Sequence, residues 1–74
     1  MGSAVTLGER VRSIRLDRGL TLAATAAAAS ISTSYLNDIE HDRTVPSLGR
    51  LVDLGRALGM SVRELLGGVQ PYDG

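Results

Sequence analysis

The sequence predicts an all-α fold, and three observations carry that prediction. Side chains that commonly cap helix N-termini occur five times, each directly before a segment with helical apolar spacing. Several of these segments are followed by glycine, a common residue just past a helix end. The chain shows no alternating strand pattern. Its 43% hydrophobic residues include only two aromatics, Tyr35 and Tyr72, so we expect one domain with an aliphatic core.

The first helix is predicted over residues 7–17. Thr6 and Glu9 have the Thr-x-x-Glu spacing of a capping box, which satisfies two backbone amides at a helix start. Gly19 is a natural stop. Four residues share the expected inner face by 3.6-residue spacing: Leu7, Val11, Ile14 and Arg18.

The second and third helices are predicted to follow each other closely. Thr21 is expected to cap a helix over residues 22–28, and Ser32 a helix over residues 33–41. Asp42 comes next, where a left-handed residue often ends a helix. Aspartate tolerates that conformation better than most other residues with a side chain.

The fourth and fifth helices have the same kind of start. Ser47 is expected to cap a helix over residues 48–58. Ser61 and Glu64 form a second capping box, which opens a short helix over residues 62–66. The inner face of the fourth helix is expected to contain Leu48, Leu51, Leu54 or Gly55, and Leu58.

Residues 21–40 carry the strongest functional indication. A short alanine-rich helix, a tight turn at residues 30–32 and a second short helix with a polar face form a helix-turn-helix motif. Ala26 lies where the two helices would cross, and a small side chain permits close approach there. The other apolar positions of the motif are Ala29, Ile31, Leu36 and Ile39. Such a motif lays its second helix in the major groove of DNA; the alternative is a plain helical bundle with a short turn.

The charge distribution argues against simple electrostatic binding of nucleic acid. Eight arginines balance eight acidic residues, and residues 19–46 carry a local net charge of −2. A nucleic-acid binder usually has a basic excess. Attraction to DNA would therefore have to come from helix N-termini, from Arg43 and from other surface arginines. Five arginines are expected on solvated helix faces: Arg10, Arg12, Arg50, Arg56 and Arg63.

Three segments resemble the lambda-repressor/Cro helix-turn-helix family, also called the xenobiotic-response-element family. They are LGERVRSIRLDRGLT, ISTSYLNDIE and RTVPSLGRLVDLGRALGMSVRELL. The resemblance implies a compact five-helix, lambda-repressor-like domain that binds operator DNA as a dimer, typically as a repressor, without catalytic activity. A narrower likeness is to the DNA-binding domain of the radiation-response repressor of Deinococcus-type bacteria, proteins that continue into a C-terminal dimerisation domain.

The same resemblance implies roles for residues at matching positions. Those expected to meet DNA base edges are Thr33, Ser34, Asn37 and Asp38. Those expected to meet phosphates are Thr21, Leu22, His41 and Arg43. The chain departs from the family pattern at four positions: Leu22 replaces a glutamine, Thr25 a core leucine, Ser30 the turn glycine and Asp42 the glycine after the third helix.

Arg15 and Glu40 are predicted to form a structural ion pair. Each directly follows a core residue on its own helix, so both charges border the same core. Because desolvating a charge is costly, a half-buried charge needs a partner. The family also has an Arg–Glu pair at these positions. The alternative is two independent solvated charges.

The expected partners are double-stranded DNA and a second copy of the chain. A homodimer is expected to use residues 62–66 and an otherwise loosely held tail, residues 67–74, through exposed members of Val62, Leu66, Val69 and Tyr72. No cofactor or metal is expected, since the chain has no cysteine and a single histidine. With no apolar segment of membrane-spanning length, a cytosolic protein is expected.

Two other functions remain open at this point. The domain could be a protein-interaction module on a helix-turn-helix frame, which zero net charge and the acidic segment favour. It could also be an antitoxin that binds both a toxin and its own operator. An enzyme is not expected, because no nucleophile–base pair or phosphate-binding loop is recognisable.

Overall fold

The structure is a computed structural model that describes residues 5–69 and contains five helices in that range. They are α1 (Leu7–Asp17), α2 (Leu22–Ala28), α3 (Thr33–Glu40), α4 (Leu48–Leu58) and α5 (Val62–Leu65). The all-α prediction is confirmed, although α3 and α5 each end one residue earlier than expected. In the described part of the chain no helix has the length and apolar character to cross a membrane.

Each helix begins at the N-cap that the sequence indicates. The cap hydroxyl accepts a hydrogen bond from the amide three residues further on, at 3.0–3.3 Å. Such a cap typically stabilises a helix by about 1 kcal/mol. The five caps are Thr6, Thr21, Ser32, Ser47 and Ser61.

The first three helices end in the same way, with a left-handed residue. These residues are Gly19 (φ +68°), Ser30 (φ +58°) and Asp42 (φ +57°). In each case the next amide donates to the carbonyl five residues before it, for example Arg43 N to Asp38 O at 2.9 Å. Ser30 and Asp42 have side chains, so each left-handed conformation costs about 1–2 kcal/mol. The structure must offset that cost by other contacts.

Aliphatic side chains from all five helices and from the last described residue form one core. Its fully buried members include Val11, Leu36, Leu54, Leu65 and Val69. Two residues that the helical spacing places on inner faces, Leu48 and Arg18, are exposed, so the prediction is wrong for them. Leu48 is 69% exposed because, at the first position of α4, its side chain leans towards the helix N-terminus and past the neighbouring helices. Arg18 is exposed because α1 ends at Asp17, so the helical spacing no longer applies.

The N-terminus of α1 is attached to the C-terminus of α3. The Asp42 carboxylate accepts hydrogen bonds from Gly8 N at 2.9 Å and from Thr6 Oγ1 at 2.6 Å. A negative charge at a helix N-terminus is also favourable. These contacts offset the strained backbone at Asp42, and they explain why a residue with a carboxylate can stand where the family pattern has glycine.

The four-residue helix α5 is held at both ends. Ser61 and Glu64 close a capping box, and the hydrogen bonds from Ser61 lower the pKa of the Glu64 carboxyl. The stability that the ionised Glu64 carboxylate adds to the fold is fully present above the ordinary carboxyl pKa. It is lost as the pH falls through the lowered pKa of Glu64. At the other end, Arg10 donates to the carbonyls of Leu65 (3.2 Å) and Glu64 (2.9 Å). Arg10 is therefore a C-terminal cap, and its expected position on a solvated face is wrong.

The start of the predicted tail is part of the fold. Val69 is fully buried and forms a parallel β-bridge with Val5. The expectation of a loosely held tail is therefore wrong for Val69, because its side chain is fully buried in the core. Residues 70–74, including Tyr72, lie outside the described residues.

Thr25 leaves a buried hydroxyl unsatisfied. Its side chain is 1% exposed, and Oγ1 has no hydrogen-bond partner in the described part of the chain. We expect Thr25→Val, which replaces the hydroxyl by a methyl group of similar size, to raise the free energy of unfolding by about 1 kcal/mol. Urea denaturation checks this, with exposed Thr33→Val as the control that should change little. A loss of stability in Thr25→Val would show that the hydroxyl does have a partner.

Candidate nucleic-acid interface

The exposed face of α3 consists of short polar side chains. Thr33 and Ser34 are exposed, and Asn37 and Asp38, one turn further, are partly exposed. The opposite face, with Leu36 and Ile39, is buried in the core. The structure therefore brings the four residues of the expected base-reading set onto one side of a single helix, where Thr33 and Ser34 are exposed and Asn37 and Asp38 keep part of their surface for a partner.

Small residues set the position of α3 against α2. Ala26 of α2 and the C-cap Ala29 are each 1% exposed, so the side that α2 buries against its neighbours is formed by small side chains. The turn between the helices is completed by left-handed Ser30 and by Ile31, whose amide donates to Ala26 O at 3.0 Å. This is the geometry of a helix-turn-helix, in which the second helix projects one face away from the domain.

A buried ion pair holds α3 against α1. Arg15 Nε lies 2.7 Å from Glu40 Oε2, and Arg15 Nη2 lies 3.0 Å from Glu40 Oε1. The two side chains are 8% and 2% exposed. Arg15 Nη1 also donates to Leu20 O at 2.8 Å, a contact for which the sequence offers no signal. The hydrogen bond to Glu40 is the main cause that raises the pKa of Arg15. The bidentate contact fixes the orientation of the Arg15 guanidinium relative to the Glu40 carboxylate, and it therefore also fixes the tilt of α3 against α1.

Arg43 folds back over the C-terminal part of α3. Its Nη1 lies 3.5 Å from Asp38 Oδ1, and both side chains are largely exposed, at 62% and 44%. An exposed pair at this distance contributes little, roughly 0–1 kcal/mol. The guanidinium is therefore free to leave Asp38 for a stronger partner such as a phosphate.

His41 is oriented by the backbone of α3. Its Nδ1 lies 2.8 Å from Asn37 O, and since a carbonyl only accepts, Nδ1 must carry the proton. The other ring nitrogen, Nε2, has no hydrogen bond to residues 5–69 and belongs to an exposed side chain. It is an acceptor in the neutral ring and becomes a donor only when the ring is protonated.

The other two expected phosphate contacts lie at the start of α2. Thr21 is exposed, and its oxygen accepts from Ala24 N at 3.0 Å, which leaves its O–H group available to donate. Leu22 is half-buried and packs against the core, so only its backbone amide is suited to an anion. These two residues and the His41–Arg43 loop thus come from opposite ends of the motif.

The acidic character of the motif is reduced by how its charges are placed. Glu40 is neutralised by Arg15, and the Asp42 carboxylate faces Thr6 and Gly8. Asp38 and Arg43 compensate each other, so among residues 19–46 the exposed Asp42 carboxylate, which accepts only from neutral donors, carries the one negative charge without a cationic partner in the described part of the chain. The local net charge of −2 therefore overstates the repulsion that DNA would meet.

A family model described as a helix-turn-helix domain matches residues 6–66. The chain belongs to this family. Its resemblance to lambda-repressor-type proteins is confirmed by a solved structure of the P22 c2 repressor in complex with synthetic operator 9T. That structure matches with a TM-score of 0.79 and 30% identity, over 86% of this chain and 97% of that one.

Curated relatives from a bacterium and a phage match a similar share of the chain. The HTH-type transcriptional regulator DdrOP3 of Deinococcus deserti is 48% identical over 66 residues, which are 89% of this chain and 51% of the relative. The immunity repressor protein of Bacillus phage phi105 is 44% identical over 63 residues, 85% of this chain and 44% of the relative. The chain thus spans about half the length of these relatives.

Proposed function

We propose that this chain is a sequence-specific DNA-binding transcriptional regulator that represses by occupying a palindromic operator. The observation that carries the proposal is the free polar face of α3, held at a fixed tilt by the buried Arg15–Glu40 pair. A rigidly supported helix with an uncovered face is what major-groove recognition requires. Two relatives are named a transcriptional regulator and a repressor, which supports the same function.

The chemistry of α3 suggests which base edges it reads. Thr33 and Ser34, in the first turn, are short enough to meet a thymine methyl group or to form one hydrogen bond each. Asn37 suits the paired acceptor and donor of adenine, and Asp38 suits the amino group of cytosine. Asp38 would also lower the affinity for other sequences, because its carboxylate would then face DNA without a hydrogen-bond donor from a base.

Phosphate contacts would position this reader on the duplex. The Thr21 hydroxyl and the Leu22 amide would meet one phosphate, and the loop with His41 and Arg43 another. Arg43 would leave Asp38 to do so, which frees the Asp38 carboxylate for a base. The His41 contact would strengthen when the ring is protonated, because Nε2 then donates. Contacts of this kind fix orientation and carry no sequence information.

Selection of bound sequences from a random DNA pool tests the proposal, and we expect a palindromic site. Ser34→Ala should change the preference at one base position of each half-site. Arg43→Ala should weaken binding to all sequences alike and reduce the salt slope by about one ion per copy. Arg63→Ala, which removes an exposed charge from α5, is the matched control and should change neither. Failure to enrich any sequence would refute the proposal.

The second candidate is a protein-interaction module or antitoxin on the same frame, with weak or no DNA binding. It is favoured by the balanced charge of the chain and by the small net charge of the outer α3 face. A salt titration separates the two functions. A DNA reader loses affinity for duplex DNA as salt rises, in proportion to the phosphates it neutralises. A pure protein-interaction module would show no measurable, salt-dependent binding to duplex DNA.

A further inference from the structure

We propose that α2 and its two flanking turns open as a separate unit while the other helices keep their fold, and that duplex DNA holds this unit closed. The opening segment, as we call it, consists of residues 21–31. Its opening follows from the contacts of the free chain. Its closure by DNA rests on the proposed function, which places a phosphate at the start of α2.

The opening segment is held against the core by small side chains. Within α2 itself only Thr25 and Ala26 are buried, and the C-cap Ala29 completes that side. Leu22 and Ile31, near the two ends of the segment, are half-buried. By contrast, α4 buries three leucines. Because stabilisation grows with the apolar area removed from water, methyl groups hold α2 much less firmly than those leucines hold α4.

No hydrogen bond or ion pair within residues 5–69 ties the opening segment to another helix. Its hydrogen bonds are internal, such as that from Ile31 N to Ala26 O at 3.0 Å. The neighbouring parts of the chain are anchored instead. Arg15 Nη1 donates to Leu20 O just before the segment, and the buried pair of Arg15 and Glu40 keeps α3 on α1. The segment can therefore open between two fixed points without moving α1 or α3.

Two features of the opening segment are unfavourable in the closed state and are relieved when it opens. The buried Thr25 Oγ1 has no hydrogen-bond partner in the described part of the chain, and water reaches it in the open state. Ser30 is left-handed, with φ +58°, although it has a side chain. At Asp42, the other such residue, the carboxylate is bound by Thr6 and Gly8. The exposed Ser30 side chain forms no such bond within residues 5–69.

The helix preference of alanine does not by itself keep α2 closed. α2 has seven residues, and an isolated helix of that length is unstable in water, because its first turn is costly to form. The helical state of α2 therefore depends on its contacts with the rest of the domain. Three of the four positions at which the chain departs from the family pattern lie in this segment: Leu22, Thr25 and Ser30. The weak attachment is thus a property of this sequence more than of the fold.

Duplex DNA closes the segment because it binds the closed state alone. When α2 opens, the Thr21 hydroxyl and the Leu22 amide no longer lie beside the polar face of α3, so the two surfaces cannot engage one duplex together. A ligand that binds one of two states shifts the equilibrium towards that state. At a free DNA concentration of 100 times the dissociation constant, the open population falls about 100-fold.

Amide hydrogen exchange of the free chain, followed by NMR, tests the opening. After correction for intrinsic rates, the amides of residues 25–29 should exchange at least about tenfold faster than those of residues 54–58 in α4, because local opening requires less free energy than unfolding of the domain. Equal protection of the two groups would overturn the proposal, since α2 would then open only when the whole domain unfolds.

Two matched variants show whether α2 opens on its own. Thr21→Ala and Ser47→Ala each remove an N-cap hydroxyl, the first from α2 and the second from α4. Thr21→Ala should accelerate exchange of residues 25–29 about fivefold. Ser47→Ala should accelerate exchange of residues 54–58 by a similar factor and leave residues 25–29 unchanged, because α4 stays folded when α2 opens. If Ser47→Ala accelerates both groups equally, the separate opening is refuted.

The same exchange measurement with the palindromic duplex distinguishes this inference from the proposed function. At 100 times the dissociation constant, exchange of residues 25–29 should slow about 100-fold. If the chain binds no duplex, the proposed function and the closure by DNA fail together, and the opening stands on the free-chain result. If the chain binds the duplex while residues 25–29 exchange as fast as in the free chain, the closure by DNA fails and the proposed function stands.

Discussion

Arg15→Ala should lower the free energy of unfolding by about 3–5 kcal/mol, the range for removing one partner of a buried ion pair. The substitution leaves the Glu40 carboxylate in a site where its side chain is 2% exposed, and it also leaves Leu20 O without its donor. A domain of this size has a total stability of about 5–15 kcal/mol. The variant should therefore unfold at a much lower urea concentration, or be largely unfolded at 37 °C.

Two further variants show whether a loss of stability in Arg15→Ala comes from the buried ion pair. Arg12→Ala removes an exposed arginine from the same helix and should change stability by less than about 0.5 kcal/mol. Arg15→Met combined with Glu40→Leu removes both charges and should recover much of the loss, because no charge is then left buried alone. If Arg15→Ala costs no more than Arg12→Ala, the pair does not hold α1 to α3.

The start of each helix could be predicted because its signal is local. A cap hydroxyl such as that of Ser32 bonds an amide three residues away, and Ser61 and Glu64 satisfy each other within one turn. Spacing alone likewise places Thr33, Ser34, Asn37 and Asp38 on one face of α3. Sequence reasoning succeeds at these positions because both partners of each contact lie within a few residues of each other.

Most contacts between helices that are distant along the chain could not be predicted from the sequence; the Arg15–Glu40 pair is an exception, because each charge borders a core residue and therefore needs a partner. Arg10 looks like any solvated arginine until α5 is seen to end beside it, 54 residues later. Asp42 looks like a strained substitute for glycine until Thr6 and Gly8 are seen to bind its carboxylate. Leu48 fits the inner-face spacing, but its exposure depends on where the neighbouring helices end. The roles of Thr33 to Asp38 on DNA stay predictions for the same reason, since their partner is another molecule.

Gly8→Ala should lower the free energy of unfolding by about 2–4 kcal/mol, the upper range for overpacking. The new Cβ would lie 2.5 Å from Ile39 O and 2.6 Å from Glu40 O, and both are backbone atoms that cannot rotate away. The α1 helix would have to move off the end of α3, which breaks the hydrogen bond between Gly8 N and the Asp42 carboxylate. Chemical denaturation with α-helical circular dichroism as the signal measures the loss.

Gly49→Ala is a closely matched control, because Gly8 and Gly49 each occupy the second position of an eleven-residue helix. At Gly49 the added methyl group would meet only Ser47 Oγ, at 4.0 Å, so the ordinary preference for alanine should raise stability by about 0.5–1 kcal/mol. The same substitution is thus expected to change the free energy of unfolding in opposite directions at two equivalent helix positions. Since propensity is equal in both, the difference measures the close packing of α1 on α3.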